Sequence, residues 1–200
     1  QQDELDARLA RARAELNRVP VLARALKARV LGEVFDLQTA ERDGVPVSTV
    51  GDVAAITSGY GFPKHLQGKM AGRYPFAKVS DISRAVREEA GTLHQAANFV
   101  DDEDLIDLRA KTVPAGSTVF AKIGEALRLN RRALTACDLA LDNNCMALSP
   151  KSVVQPTYLF YFMHTVDLSP FAVATAMPSV RRGDVAALRL PLPELPVQES

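Results

Sequence analysis

Lys64, His65, Gln67, Lys69 and Arg73 crowd behind a Ser58-Gly59-Tyr60-Gly61-Phe62-Pro63 loop. Arg128, Asn130, Arg131 and Arg132 form a second cluster, and Ser179, Arg181 and Arg182 a third, directly after Pro178. These side-chain types meet nucleic acid: an arginine fork pairs bidentately with guanine, an Asn or Gln amide with adenine, and Lys and Ser hold phosphates. Any one cluster is equally at home on a plain solvated surface. Clusters repeated on the loops of one small domain strengthen the nucleic-acid reading without requiring it.

The formal net charge is zero, which argues against a polyanionic partner until the charges are counted by segment. From Ser58 to Arg87, Lys64, Lys69, Arg73, Lys78, Arg84 and Arg87 stand against Asp81 alone, a local +5. From Glu88 to Arg109 the sign reverses to −6 through Glu88, Glu89, Asp101, Asp102, Glu103, Asp104 and Asp107, and from Ala110 to Thr135 it returns to +4, with Lys111, Lys122, Arg128, Arg131 and Arg132 opposing Glu125. Phosphate binding follows local potential rather than the total, so the two basic blocks could form one DNA-holding face. A mixed, solvated surface is the alternative.

The signatures of enzymes are missing. There is no Gly-x-x-x-x-Gly-Lys-Ser/Thr loop, and Gly59-Tyr60-Gly61 lacks the third glycine and following helix of a dinucleotide fingerprint, which leaves it a conformational device. No Gly-x-Ser-x-Gly elbow occurs, and neither Cys137 nor Cys145 sits in a nucleophile motif. The acidic run from Asp101 to Asp107 reads as a solvated loop or helix start. The Asn-Pro-Pro-aromatic motif of adenine methyltransferases is absent, so the chain is not expected to methylate DNA or to act as an enzyme. Two cysteines and the scattered His65, His94 and His164 do not make paired zinc spacings, so no metal and no cofactor are expected, and the thiols should be reduced. With 47% hydrophobic residues, no signal peptide and no membrane-length apolar run, the expectation is a soluble, cytoplasmic protein.

Elements must position these clusters. Leu5, Leu9, Ala12, Leu16 and Val19 recur at alternating spacings of four and three, a coiled-coil seam, and Leu22 and Leu26 extend it beyond Pro20. The pattern predicts a long assembly helix over 1–36, kinked or briefly broken at the proline. A stripe that narrow requires a partner helix; packing on the chain's own domain is the alternative. Asp36 to Val47 reads as a linker. Val50 to Thr57 reads as a turn or helix running into a strand, and Pro75–Val79, Ser117–Ile123, Ala133–Ala136 and Cys145–Leu148 as short strands. Thr157–Met163 opens an aromatic helix, and Arg189–Leu192 is a last edge segment. The fold class is α+β: a globular domain over 45–196 with a small mixed β-sheet, preceded by a long coiled-coil-type helix.

Taken in order, these residues resemble a known family. Ile56-Thr57-Ser58-Gly59-Tyr60-Gly61-Phe62-Pro63-Lys64 and Tyr74-Pro75-Phe76-Ala77-Lys78-Val79-Ser80-Asp81-Ile82 are similar to the start of a target recognition domain in specificity subunits of type I restriction-modification systems. Val119 to Leu127 with Asn130-Arg131-Arg132, then Asp142-Asn143-Asn144-Cys145-Met146, then Pro178-Ser179-Val180 and Leu190-Pro191-Leu192-Pro193 continue the match. The resemblance implies a non-catalytic subunit that reads one half of a bipartite double-stranded DNA site, mainly in the major groove. By the same analogy S-adenosylmethionine-dependent adenine methylation and ATP-driven cleavage belong to methyltransferase and restriction subunits. It implies DNA contacts among Tyr60, Lys64, His65, Lys69, Arg73, Lys78, Lys122, Arg128, Asn130, Arg131, Arg132, Ser179, Arg181 and Arg182, with Arg128, Asn130, Arg131 and Arg182 the first candidates for base edges. The helix seam, Leu5, Leu9, Ala12, Leu16, Val19, Leu22 and Leu26, would pack on a second spacer helix, from the other half-subunit or a homodimer partner, and dock the methyltransferase subunits. The chain resembles the second half of such a subunit, ending where Pro193 to Gln198 would open the other helix. It departs there, with Val197 where Glu is usual, and the absence of an initiating Met fits a fragment. The rival readings are a coiled-coil adaptor that organises a complex without reading DNA, and the recognition part of a fused adenine methyltransferase.

Overall fold

The computed structural model describes residues 2–171 and 179–199, with the side chains of Asp3, Leu5, Ala7 and Ala10 left out. The seam position Leu5 and the loop residue Pro178 therefore lie outside the described side chains and residues.

Helix α1 (Gln2–Val34) is built from Ala, Leu, Arg and Glu, all good helix formers, and is tied along its surface by Arg8–Glu4 (2.7 Å) and Arg29–Glu33 (3.0 Å) pairs one turn apart. It runs through Pro20 as one continuous helix, so of the kink or brief break expected there the break does not occur. The proline removes the donor that the Leu16 carbonyl would have used; here every side chain is exposed, and water can take that place. Ala12 is exposed, and Leu9, Leu16, Val19, Leu22 and Leu26 are 46–68% exposed. The helix anchors only at its C-terminal end, where Leu31 reaches the core and Phe35 is buried against Tyr158 (ring centres 4.9 Å apart) and Phe162 (5.6 Å).

The expected linker after α1 is ordered structure. Asp36 caps α2 (Leu37–Arg42) by accepting hydrogen bonds from the backbone N–H groups of Gln38 (3.3 Å) and Thr39 (3.2 Å), and the Thr39 hydroxyl and amide hold its carboxyl below the usual range. A polar stretch with Gly44 and Pro46 reads as a loop because a helix this short carries no apolar period.

The globule then runs β1 (Val47–Thr49), α3 (Val50–Val53), β2 (Ala54–Ser58), β3 (Tyr74–Ala77), α4 (Val79–Glu88), β4 (Thr92–Leu93), β5 (Phe99–Val100), α5 (Asp102–Asp107), β6 (Thr118–Ala121), α6 (Gly124–Arg128), β7 (Arg132–Thr135), β8 (Ala140–Leu141), β9 (Cys145–Pro150), α7 (Pro156–Thr165), α8 (Arg182–Ala186), β10 (Arg189–Pro191) and α9 (Leu195–Gln198). A five-stranded sheet of order β2-β9-β6-β7-β4 is antiparallel except for its β4–β7 edge; β1 pairs with β10, and β5-β3-β8 form a third, mixed sheet. The fold is α+β with small mixed sheets behind a long helix, as the sequence pattern predicts.

Both faces of the five-stranded sheet are covered. Phe120, Met146 and Leu148 point into a core with α7, α3, α8 and Phe35, whereas Val119, Ala133, Cys145 and Ala147 point into a second core under α4. This is why β6 and β9 read as continuous apolar runs rather than alternating ones. Burial raises the Cys145 thiol far above its usual value, and both cysteines are free. The strand expected to reach Val79 stops at Ala77, because Asp81 turns back to accept from the Lys78 N–H (2.9 Å) and starts α4.

Candidate nucleic-acid interface

At one end of the large sheet four separate segments are fastened side by side. The turn between β8 and β9 is closed by Asp142, whose side chain accepts from the Asn144 N–H (2.9 Å) and whose carbonyl accepts from Cys145 N–H (2.9 Å). Asp-Asn-Asn is the chemistry such a turn demands. On one side Tyr60 donates its N–H to the Leu141 carbonyl (2.7 Å) and Gly59 to that of Cys145 (3.2 Å). A Cβ built on Gly59 would overlap the carbonyl oxygens of Leu141 and Asp142, so only glycine permits the approach. On the other side Lys122 donates its N–H to the Asn144 carbonyl (2.9 Å). Ile123 bridges Ser179, and Val180 donates to the Lys122 carbonyl (2.9 Å), which brings in the segment that leads to Arg181 and Arg182. The row is thus Tyr60, the 142–144 turn, Lys122 and Ser179–Arg182.

Its side chains are mostly free to meet a partner. Arg128, Asn143, Arg181 and Arg182 are exposed; Tyr60, Lys122, Asn144 and Ser179 are half-buried. Lys78 joins through β3, since Asp142 donates its N–H to the Ala77 carbonyl (2.9 Å). The Lys78 ammonium sits 3.9 Å from the centre of the Phe62 ring, itself 4.5 Å from that of Phe76. Among the described residues, none of Lys64, Lys78, Lys122, Arg128, Arg131, Arg181 and Arg182 has a carboxylate within ion-pair distance.

Other expected members stand apart. The local +5 counted from Ser58 to Arg87 is not delivered as a free basic face, because the acidic block folds onto it. Lys69 is held by Asp101 (2.7 Å) and Asp104 (2.6 Å), and Arg73 by Asp102 (2.5 Å). The Lys69 hydrogen bonds, reinforced by backbone amides, keep Asp101 and Asp104 below the ordinary carboxylate range. Arg84 pairs with Glu89, and Arg87 with Glu88 at 3.6 Å. Lys64 and His65 are exposed on a helical turn after Pro63.

Arg132 is the clearest correction. It is 1% exposed, opens β7, and lays its guanidinium 5.0 Å from the centre of the Phe120 ring, inside the globule. Asn130, in the left-handed region at φ 50°, uses its side-chain oxygen to accept from Arg132, and the Arg131 carbonyl accepts from the same guanidinium (3.2 Å). The cluster expected to present four polar groups on a loop therefore spends Asn130 on holding Arg132, while Arg128 ends α6 in solvent. Asn143 and Asn144 join the row as further candidates that the charged clusters of the sequence do not single out; a turn-forming Asp-Asn-Asn between two apolar strands is the signal that marks them.

No curated protein sequence matches this chain. The sequence profile of the type I restriction modification DNA specificity domain matches residues 42–200. Among solved structures, the HsdS subunit from Thermoanaerobacter tengcongensis superposes with a TM-score of 0.65 at 19% identity, covering 98% of this chain and 46% of that one. A chain from a structure described as the basis of complex assembly and conformational transition of the type I R-M system gives 0.58 at 17% identity, covering 96% and 47%. The chain thus spans just under half the length of these structures, and the likeness to them is one of fold. Because the profile covers the whole globule, from the end of α2 onward, the chain belongs to the family of type I restriction modification DNA specificity domains.

Proposed function

We propose that the globule reads one half of a bipartite double-stranded DNA site for a type I restriction-modification complex, and that α1 is the spacer that sets the distance to the other half. The observation that carries this is the row at the end of the sheet: four backbone-locked segments present cations with no ion-pair partner among the described residues, beside the exposed Asn143 and half-buried Asn144 amides. Rigid placement is what base readout needs, because a bidentate contact discriminates only when its geometry is fixed. Lys78, Lys122, Arg181 and Arg182 would neutralise phosphates, and Asn143, Asn144 and Arg128 would reach base edges. Lys64 and His65 would extend the surface along the duplex.

The globule would do no chemistry on DNA; methylation and cleavage would be the work of methyltransferase and restriction subunits. The exposed seam of α1 would pack on a second spacer helix and, with it, dock the methyltransferase subunits. No described helix is long and apolar enough to cross a membrane. The profile match favours this reading over a coiled-coil adaptor.

The test is selection from a randomised duplex pool by the chain assembled with the methyltransferase subunit of its own operon. Enrichment of a short motif is the expected result. An assembled complex that enriches nothing would return the chain to the adaptor reading.

A further inference from the structure

Between α1 and the globule lies a cavity of about 500 Å³ that the DNA-facing row does not use. Helix α1 lines it with Arg24 and Lys27, one turn apart on one face, and the globule with Arg132, Phe160, Tyr161 and His164. No carboxylate lines it among the described residues. Arg132 is buried with its Nε atom lacking any hydrogen-bond partner among the described residues, and the Nε2 atom of His164 is buried in the same condition. The negative group that acts on Arg132 is Asp167, whose carboxylate is already engaged by the Ser169 N–H (2.8 Å).

The walls divide by chemistry. The His164 and Phe160 rings meet edge to face at 4.6 Å, and the Lys27 ammonium stands 5.0 Å from the centre of the Tyr161 ring. Burial brings Arg132 down to about 10, which leaves it a cation at neutral pH. Burial, then Lys27 and Arg132, push His164 down to about 4, so its ring is neutral and its nitrogens are free to donate and accept one hydrogen bond each. A buried guanidinium with an unused Nε–H, whose acting carboxylate Asp167 stands outside the cavity lining, is an arrangement that an anion in the cavity completes.

We propose that this cavity binds a phosphate monoester whose molecule also carries a planar ring, in the manner of a nucleoside monophosphate. The phosphate would lie against Arg24, Lys27 and Arg132, and the ring against Phe160 and Tyr161. Convergence of three cations favours a dianion over a single carboxylate. The volume falls in the range of small-molecule sites, which set a few polar groups among aromatic walls. Because the ligand touches both α1 and the globule, it would stiffen the joint that Leu31 and Phe35 anchor in the core. This assignment does not depend on the DNA reading.

The test is calorimetric titration of the whole chain with AMP or CMP, with adenosine and inorganic phosphate as separate arms. One saturable site is expected, with adenosine and phosphate each at least about ten-fold weaker. The R24E/K27E double variant, changed on the exposed helix surface, is expected to weaken binding by more than about ten-fold while the unliganded melting temperature stays the same. Absence of saturable binding, or equal binding by the double variant, overturns the proposal. So does displacement of AMP by a blunt duplex without terminal phosphates, which would assign these cations to the DNA surface.

Discussion

The backbone of Gly59 lies so close to the carbonyl of Asp142 that no side chain fits between them. This contact holds the Tyr60 loop against the 142–144 turn and sets the spacing of the whole row. Gly59→Ala must push the two segments apart, and overpacking of this kind costs about 1–3 kcal/mol. Urea unfolding should show that loss as a lower midpoint, and sequence-selective DNA binding should fall further than stability does. An unchanged midpoint with unchanged binding would show that this contact does not hold the Tyr60 loop in place.

Within the row, lysine and asparagine should fail differently. Lys122→Ala is expected to weaken binding alike on all duplexes and to reduce the salt dependence by about one charge, because a phosphate contact releases a counterion. Asn143→Ala should leave the salt slope alone, cost about 1–3 kcal/mol on the preferred site and relax the preference at one base pair. Titrations at several salt concentrations on preferred and scrambled duplexes separate the two. If Asn143→Ala weakened both duplexes equally, it would be a backbone contact.

The large elements were legible because they carry strong local patterns. The seam from Leu5 to Leu26 predicts α1, and the apolar runs at Ser117–Ile123 and Cys145–Leu148 predict the central strands β6 and β9, which are buried on both faces. Elements set by a single cap were not. Helix α2 exists because Asp36 caps it, and α4 because Asp81 returns to Lys78, contacts three residues apart that leave no apolar period. Charge was misleading for a long-range reason: basic and acidic blocks that alternate along the chain come together in space, as Lys69 does with Asp101 and Asp104. Arg131 and Arg132 are one residue type in sequence, yet β7 begins at the second and carries it inside.

Lys69 is the place to separate ion pairing from DNA contact. Lys69→Met leaves Asp101 and Asp104 uncompensated beside the 58–73 loop, so DNA binding should weaken although Lys69 itself is spoken for. Adding Asp101→Asn and Asp104→Asn should restore it; failure of that triple variant to recover would make Lys69 a direct phosphate contact. The same pairs set a pH signature. Both carboxyls are depressed in the folded state, so their contribution is present above the unfolded value of 3.8 and disappears as pH falls through the lower folded values. Melting curves of the parent should therefore drop more steeply below about pH 4 than those of Lys69→Met.

The seam of α1 makes the last prediction, because its exposure is hard to explain within the chain. Leu16 is 68% exposed and Leu22 59%, on a helix whose ordered packing begins only near Leu31. If the stripe exists for another helix, Leu16→Glu with Leu22→Glu should leave the globule's unfolding midpoint where it was, since neither side chain touches the core. The same pair should abolish assembly with the second spacer helix, because each leucine buried in such a seam contributes about 1.5–3 kcal/mol and a carboxylate there adds a desolvation penalty. Sedimentation of the chain with the proposed spacer-helix partner reads the second effect directly. DNA selectivity measured on the globule should survive in both cases, because the row at the sheet end is fastened by Gly59, Asn144 and Lys122 and not by α1. Assembly that persisted with both glutamates in place would show that the seam faces solvent in the working complex, and the spacer role would then pass to another surface.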